Sequence, residues 1–246
     1  MTSVPRVLIG SPTAAPYAYC LQEWVQAVRS LTYPNFSAVL VDNSKDIAYD
    51  KTIQAAGIQA LKYQPSPGES LREILANSRN MLRNLLLQDS FDYFLSLEQD
   101  ILPPVDAIER LLAHGKPVVS GVYYKYFTLK YTSPTGKVLA KKKAMPLLAR
   151  GTKDPEKMHY FTAEEVEEPQ LSPIRYCGLG CVLIHKDVLQ KISFRTDPNS
   201  SGKAFDDVSF CNDVLAAGYP LYADTSVKCT HRLSEKPAGL FDSMSK

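Results

Sequence analysis

Apolar positions along this chain fall into two recurring patterns. Short unbroken runs, Val7-Leu8-Ile9, Ala38-Val39-Leu40-Val41 and the aromatic and aliphatic stretch from Phe91 to Leu97, read as strands buried on both faces. Between them the apolar positions recur every three or four residues. Leu21, Trp24, Val25, Val28 and Leu31 mark one helix, and Leu71, Ile74, Leu75, Leu82, Leu85 and Leu86 form the stripe of a longer one from about Glu69 to Leu87. A helix from Val105 to Leu112 leads into a strand over Pro117–Tyr123. Strands and helices alternating at this spacing predict an α/β fold, a mostly parallel sheet with right-handed crossovers and helices on both faces.

The alternation breaks between 127 and 175. Lys141-Lys142-Lys143, the acidic run Glu164-Glu165-Val166-Glu167-Glu168, and prolines at 134, 146, 155, 169 and 173 predict hairpins and loops, with both charge runs solvated. Regular patterning returns with the strand Cys181–His185 and a short helix, Lys186–Lys191. A helix follows from near Asp207 to Ala217, stopped by Gly218, and then a strand from Leu221 to Cys229 that runs into His231. No internal repeat interrupts the 246 residues, and the expectation is one domain over 1–246 with 127–175 as an irregular insertion.

Charge changes this picture little. A formal net charge of +2 gives no reason to expect nucleic acid or an anionic membrane as the main partner. No apolar run is long enough to span a bilayer, and Val7-Leu8-Ile9 is too short for a secretory leader, so a cytoplasmic protein is expected. Five cysteines, Cys20, Cys177, Cys181, Cys211 and Cys229, are an odd count that suits reduced thiols. Cys177, Cys181 and Cys229 with His231 resemble a zinc set only loosely, because Cys-x-x-x-Cys is not a strong zinc spacing.

The strongest chemical signal is the end of the third strand, where Glu98-Gln99-Asp100 precedes the turn at Pro103-Pro104. Ligands bind at the carboxyl ends of strands in open α/β sheets, and two oxygen donors there form half a shell for Mg²⁺ or Mn²⁺ holding a diphosphate. The alternative is a strand that meets solvent with both acids hydrated. Arg79 interrupts the apolar stripe of its helix, so it either faces the crevice or sits on the helix surface. Asp206 and Asp207 open an apolar helical run, where one acid can cap the helix while the other points into a cleft. Tyr123, Tyr124 and Tyr126 are candidates for stacking on a sugar ring or for core packing.

Four pieces occur in an order that resembles the GT-A fold glycosyltransferases, most closely family 2. They are Leu40-Val41-Asp42-Asn43-Ser44, Asn77-Ser78-Arg79-Asn80, Glu98-Gln99-Asp100, and the series Gly178-Leu179-Gly180, Phe205-Asp206-Asp207, Ala217-Gly218-Tyr219 and His231. The resemblance spans nearly the whole chain outside 127–175. It implies a nucleotide-sugar and metal-binding half over 1–126 and an acceptor and catalytic half over 176–246. It implies Ser11, Asp42, Arg79 and Glu98 as donor contacts, Asp100 and His231 as ligands of Mn²⁺ or Mg²⁺, and Asp207, beside Asp206, as the base. The implied reaction moves a sugar from a UDP- or GDP-sugar to a hydroxyl acceptor, with inversion. Glu98 stands where the family's first Asp is usual, and Asn43 where many relatives carry a second acid. The Gln-x-x-Arg-Trp signature of processive synthases is absent.

Two rivals remain at this point. A sugar nucleotidyltransferase shares the architecture, but such enzymes usually carry a glycine-rich, basic loop after the first strand, and Ser11–Pro16 has neither feature. A binding protein with a degenerate transferase fold is the other, since fold does not determine function.

Overall fold

The computed structural model describes residues 4–45, 48–132, 136–151, 158–197 and 205–232. The first half contains β1 (Val7–Thr13), α1 (Leu21–Arg29), β2 (Phe36–Asp42), α2 (Ala48–Ala55), β3 (Gln59–Lys62), α3 (Leu71–Gln88), β4 (Tyr93–Leu97), β5 (Ile101–Leu102), α4 (Ala107–Ala113) and β6 (Val118–Val122). Then come β7 (Tyr124–Thr132), β8 (Val138–Pro146), β9 (Leu148–Gly151), β10 (Met158–Tyr160), β11 (Leu171–Ile174) and β12 (Tyr176–Cys177). The chain continues through β13 (Cys181–His185), α5 (Lys186–Lys191), α6 (Asp206–Ala216), β14 (Leu221–Lys228) and β15 (Thr230–His231).

An eight-stranded sheet in the order β3-β2-β1-β4-β13-β6-β14-β11 forms the body. Neighbouring pairs among β3, β2, β1 and β4 are parallel, as is β6 with β14. β13 runs antiparallel between β4 and β6, and β11 antiparallel on the β14 edge. The expected mostly parallel α/β sheet is therefore present, in mixed form. All of β1 is buried, as is all of β6, which fits strands covered on both faces. Trp24, Leu82, Leu86 and Phe94 are among the core residues.

Local chemistry sets the helix limits. Ser70 accepts from the Glu73 amide while Glu73 accepts from the Ser70 amide, a reciprocal cap that starts α3. Gly218, at φ +84°, supplies the left-handed turn just past α6. The pattern reading passed over α2 and β3. β3 is a four-residue edge strand with no fully buried position, so neither its length nor its alternation marks it out.

The 127–175 stretch holds hairpins, as expected, but with different limits. The β7–β8 hairpin starts at Tyr124, β9, β10 and β12 make a small separate sheet, and β11 joins the main sheet through β14. Lys141, Lys142 and Lys143 are exposed on β8, and Val166 is the buried anchor within the acidic run. Pro134 and Pro155 lie outside the described residues.

Candidate metal and acid–base site

β4 ends on Leu97, and the next three residues form a turn held from three sides. Gln99 is buried; its carbonyl oxygen accepts from Thr13 and Tyr49, and its amide nitrogen donates to the Tyr17 carbonyl at 2.6 Å. The Glu98 amide donates to the Gly180 carbonyl at 3.0 Å. The residue between the two acids thus fixes where they point. Sequence reasoning treated Gln99 as a spacer, although a polar residue closing a buried strand carries that signal.

β15 pairs with β5, setting His231 opposite Ile101, and the Arg232 amide donates to the Asp100 carbonyl at 2.9 Å. The His231 ring is oriented from both ends. Nδ1 lies 2.7 Å from the Tyr124 carbonyl, which can only accept, so Nδ1 carries a proton. Nε2 then faces Asp100 Oδ2 at 3.2 Å, with both side chains nearly buried. In neutral imidazole of this tautomer, Nε2 is an acceptor facing an acceptor. A proton on either group, or a cation, is needed between them. A histidine ligand whose other nitrogen donates to a carbonyl is the usual arrangement around a bound metal. Tyr123 packs against the ring edge, with centroids 5.6 Å apart.

The second cluster centres on Arg79. Its guanidinium, only 3% exposed, donates to Glu98 at 2.7 Å and to Asp206 at 3.0 Å. Burial works against its charge, but Asp206 and Glu98 outweigh that and hold its pKa above the ordinary value. This arginine ties the end of β4 to the start of α6. Burial pushes the Asp206 pKa up to about 6, against the pull of Arg79. Asp207, the next residue, is half-buried. It accepts from the Tyr176 hydroxyl at 2.6 Å and from the Val208 amide at 2.7 Å. Burial raises its pKa too, with the Tyr176 hydrogen bond opposing. Neither acid is the N-cap: that position belongs to Phe205, and both are helical residues of the first turn.

Gly178 and Gly180 are required by close approach. A Cβ at Gly180 would lie 2.6 Å from the Tyr123 ring, and one at Gly178 would lie 2.0 Å from the Tyr123 hydroxyl. Of the three tyrosines, Tyr123 is core, Tyr124 contributes its carbonyl to His231, and Tyr126 is exposed.

The remaining expected residues bond to other partners. Asp42, fully buried at the end of β2, pairs with Lys62 at 2.7 Å and accepts from the Ser44 amide and hydroxyl. Lys62 stands opposite Asp42 in the β2–β3 register, a partner hidden from sequence reasoning along with β3. Ser11 is fully buried in β1, its hydroxyl donating to the Pro12 carbonyl, and it does not join the acids. None of the five cysteines forms a disulfide, and all are buried. Among the described residues, no group of three or more His, Cys, Asp or Glu side chains is placed to hold a metal, which removes the loose zinc set.

No protein-family model matches the chain. No curated protein matches it in sequence. Solved structures do match its fold. A structure of GalNAc-T7 with UDP, GalNAc and Mn²⁺ aligns at TM-score 0.61 and 14% identity, over 94% of this chain and 44% of that one. The mannosyltransferase PcManGT from Pyrobaculum calidifontis, in complex with GDP-Man and Mn²⁺, aligns at TM-score 0.61 and 13% identity, over 99% of this chain and 61% of that one. The fold is GT-A. A197 from STIV aligns at TM-score 0.44 and 18% identity, over 92% of this chain and 85% of that one. The chain thus spans less than two thirds of either glycosyltransferase, and at these identities the likeness speaks to fold alone. Among the described residues, no helix is long and apolar enough to cross a membrane.

Proposed function

We propose that this protein is a metal-dependent, inverting glycosyltransferase that moves a sugar from a UDP- or GDP-sugar to a hydroxyl acceptor. The observation that carries the reading is the Asp100–His231 pair, a carboxylate and an imidazole Nε2 facing each other at 3.2 Å where the central strand β4 ends. Its donor set fits Mn²⁺ or Mg²⁺, which take a few protein ligands and fill their remaining positions with phosphate oxygens and water. Both metal-bound neighbours in fold, with UDP or GDP-Man, support the same direction. When bound, such an ion supplies Lewis-acid stabilisation of the departing diphosphate.

Asp207 takes the proton of the acceptor hydroxyl. It is the more accessible of the adjacent acids, and Tyr176 fixes one carboxylate oxygen toward a single orientation. Burial raises its proton affinity, which favours a base over a bare anion. Asp206 is spent on Arg79 and acts by position. Glu98, about one-third exposed and oriented by the same arginine, contacts the donor. Asp42 contributes on the nucleotide side together with Lys62.

Asp207→Asn tests the assignment. Transfer, read as release of nucleoside diphosphate in a donor panel with Mn²⁺, should fall about 10²–10⁴-fold, the ordinary contribution of a general base. Nucleoside diphosphate binding, read as a Mn²⁺-dependent rise in melting temperature, should persist. Transfer near the wild-type rate removes Asp207 from the mechanism. No melting shift with any nucleotide refutes the donor class.

A further inference from the structure

We propose that the β7–β8 hairpin is a docking arm for an anionic lipid surface. Its chemistry is unlike that of the rest of the molecule. Residues 124–146 contain six lysines and no acid, so with a total of +2 the remaining chain carries a net −4. The near-neutral total conceals a strongly basic projection. Lys125, Lys141, Lys142 and Lys143 are all exposed, and Glu164 is drawn toward Lys143.

Apolar side chains are exposed on the same element. Among the described residues, six large hydrophobics are exposed, and four of them sit here: Tyr126 at 56%, Leu129 at 43%, Tyr131 at 50% and Val138 at 65%. The register distributes them over both faces of the ribbon. Leu129 and Tyr131 share a face with Lys141 and Leu139, while Tyr126 shares the other with Ala144, next to the Lys142 and Thr128 pair. Among the described residues, the two strands pair only with each other. Beyond Phe127 the described part of the ribbon is largely exposed on both faces, and bare aromatic and aliphatic groups there mark a contact surface.

The composition selects the occupant. Lysines alternating with Tyr, Leu and Val match an interface in which anionic headgroups lie over the acyl boundary. There tyrosine rings settle at headgroup level and aliphatic groups below it. Nucleic acid would engage the lysines and stack on tyrosine, but it has no use for exposed Leu129 and Val138, and the hairpin has no arginine for base edges. The root of the hairpin is tied to the site: Phe127 packs on Tyr160, Tyr160 on Tyr176, and Tyr176 bonds Asp207. The lipid assignment itself does not depend on the transferase reading.

The test is co-sedimentation of the full chain with vesicles of phosphatidylcholine alone or with added phosphatidylserine, at low salt. Binding should require phosphatidylserine and weaken as salt rises. Each lysine near an anionic surface is worth about fivefold in partitioning, so Lys125→Ser, Lys141→Ser and Lys142→Ser combined should weaken binding roughly 100-fold. Leu129→Ser with Tyr131→Ser should weaken it further without changing the salt dependence. Lys51→Ser with Lys191→Ser, exposed lysines on α2 and α5, should leave it unchanged. All these positions are exposed, and an unaltered thermal melt establishes folding. Absence of binding to phosphatidylserine vesicles, or equal binding by the hairpin variant, overturns the proposal. Hairpin-dependent binding of an oligonucleotide or an acidic peptide without lipid binding also overturns it and reassigns the surface.

Discussion

Replacing Arg79 with methionine isolates the ionic clasp between β4 and α6. Methionine is close to arginine in volume, so the change removes charge and hydrogen bonds while leaving little void. It strands two carboxylates unequally. Glu98, whose side chain is 36% exposed, can turn to water, but Asp206 is 4% exposed and cannot. Breaking a buried pair from one side costs about 3–5 kcal/mol, because the partner is left charged and desolvated. For a chain of this size that lowers Tm by roughly 6–20 °C. The pH dependence is the sharper test. In the wild type, burial lifts the Asp206 pKa from 3.8 to about 6. The folded state then binds more protons than the unfolded one, so this group's contribution falls as pH rises from about 4 to about 6 and is level above that. Without Arg79 the Asp206 pKa rises further, and the falling window extends to higher pH. The cost of Arg79→Met, measured by urea unfolding, should therefore be small near pH 5 and grow toward pH 8. Asp206→Asn in the Arg79→Met background should recover most of the loss at neutral pH. A cost below about 1 kcal/mol at pH 8, or one that does not vary with pH, refutes the account.

Two further substitutions probe the supports of the site. Gly180→Ala sets a methyl group 2.6 Å from the Tyr123 ring, so unfolding stability should drop by about 1–3 kcal/mol, and a variant within a few tenths of wild type would contradict the packing. Gln99→Ala leaves the Thr13 and Tyr49 hydroxyls without their shared acceptor, and should cost about 2 kcal/mol in urea unfolding. Because the same turn aims Asp100, this variant should also weaken Mn²⁺ binding in calorimetry. Unchanged affinity would separate Gln99 from the metal pair.

What the chain disclosed in one dimension follows from where each signal resides. The central strands were legible because burial on both faces forces unbroken apolar runs, as in Val7–Ile9 and Phe91–Leu97. Asp100, His231, Arg79 and Asp206 were legible as residues out of keeping with their surroundings, two acids and a histidine at the ends of apolar elements and an arginine interrupting a helix stripe. Their pairing was not. Arg79 and Asp206 stand 127 positions apart, and only in the folded chain does the arginine on α3 meet both the end of β4 and the first turn of α6. Partners drawn from weakly patterned segments were invisible for a different reason. Lys62 lies on a half-exposed edge strand, and Tyr176 on a two-residue strand with no periodicity to read. Net charge hid the six hairpin lysines by summation, since acids elsewhere in the chain largely offset them.

The two clusters share one mechanical origin. Glu98 and Asp100 leave the same turn in different directions, one to Arg79 and the other to His231. Gln99 between them is fastened to β1, α2 and the segment before α1, so the turn cannot rotate to exchange the acids. An aspartate at position 98 is one methylene shorter and would fall short of the guanidinium at its present 2.7 Å separation. The departure from the usual Asp-x-Asp is thus matched to the reach that this clasp demands. Glu98 belongs as much to the arginine that joins strand to helix as to the turn that ends β4.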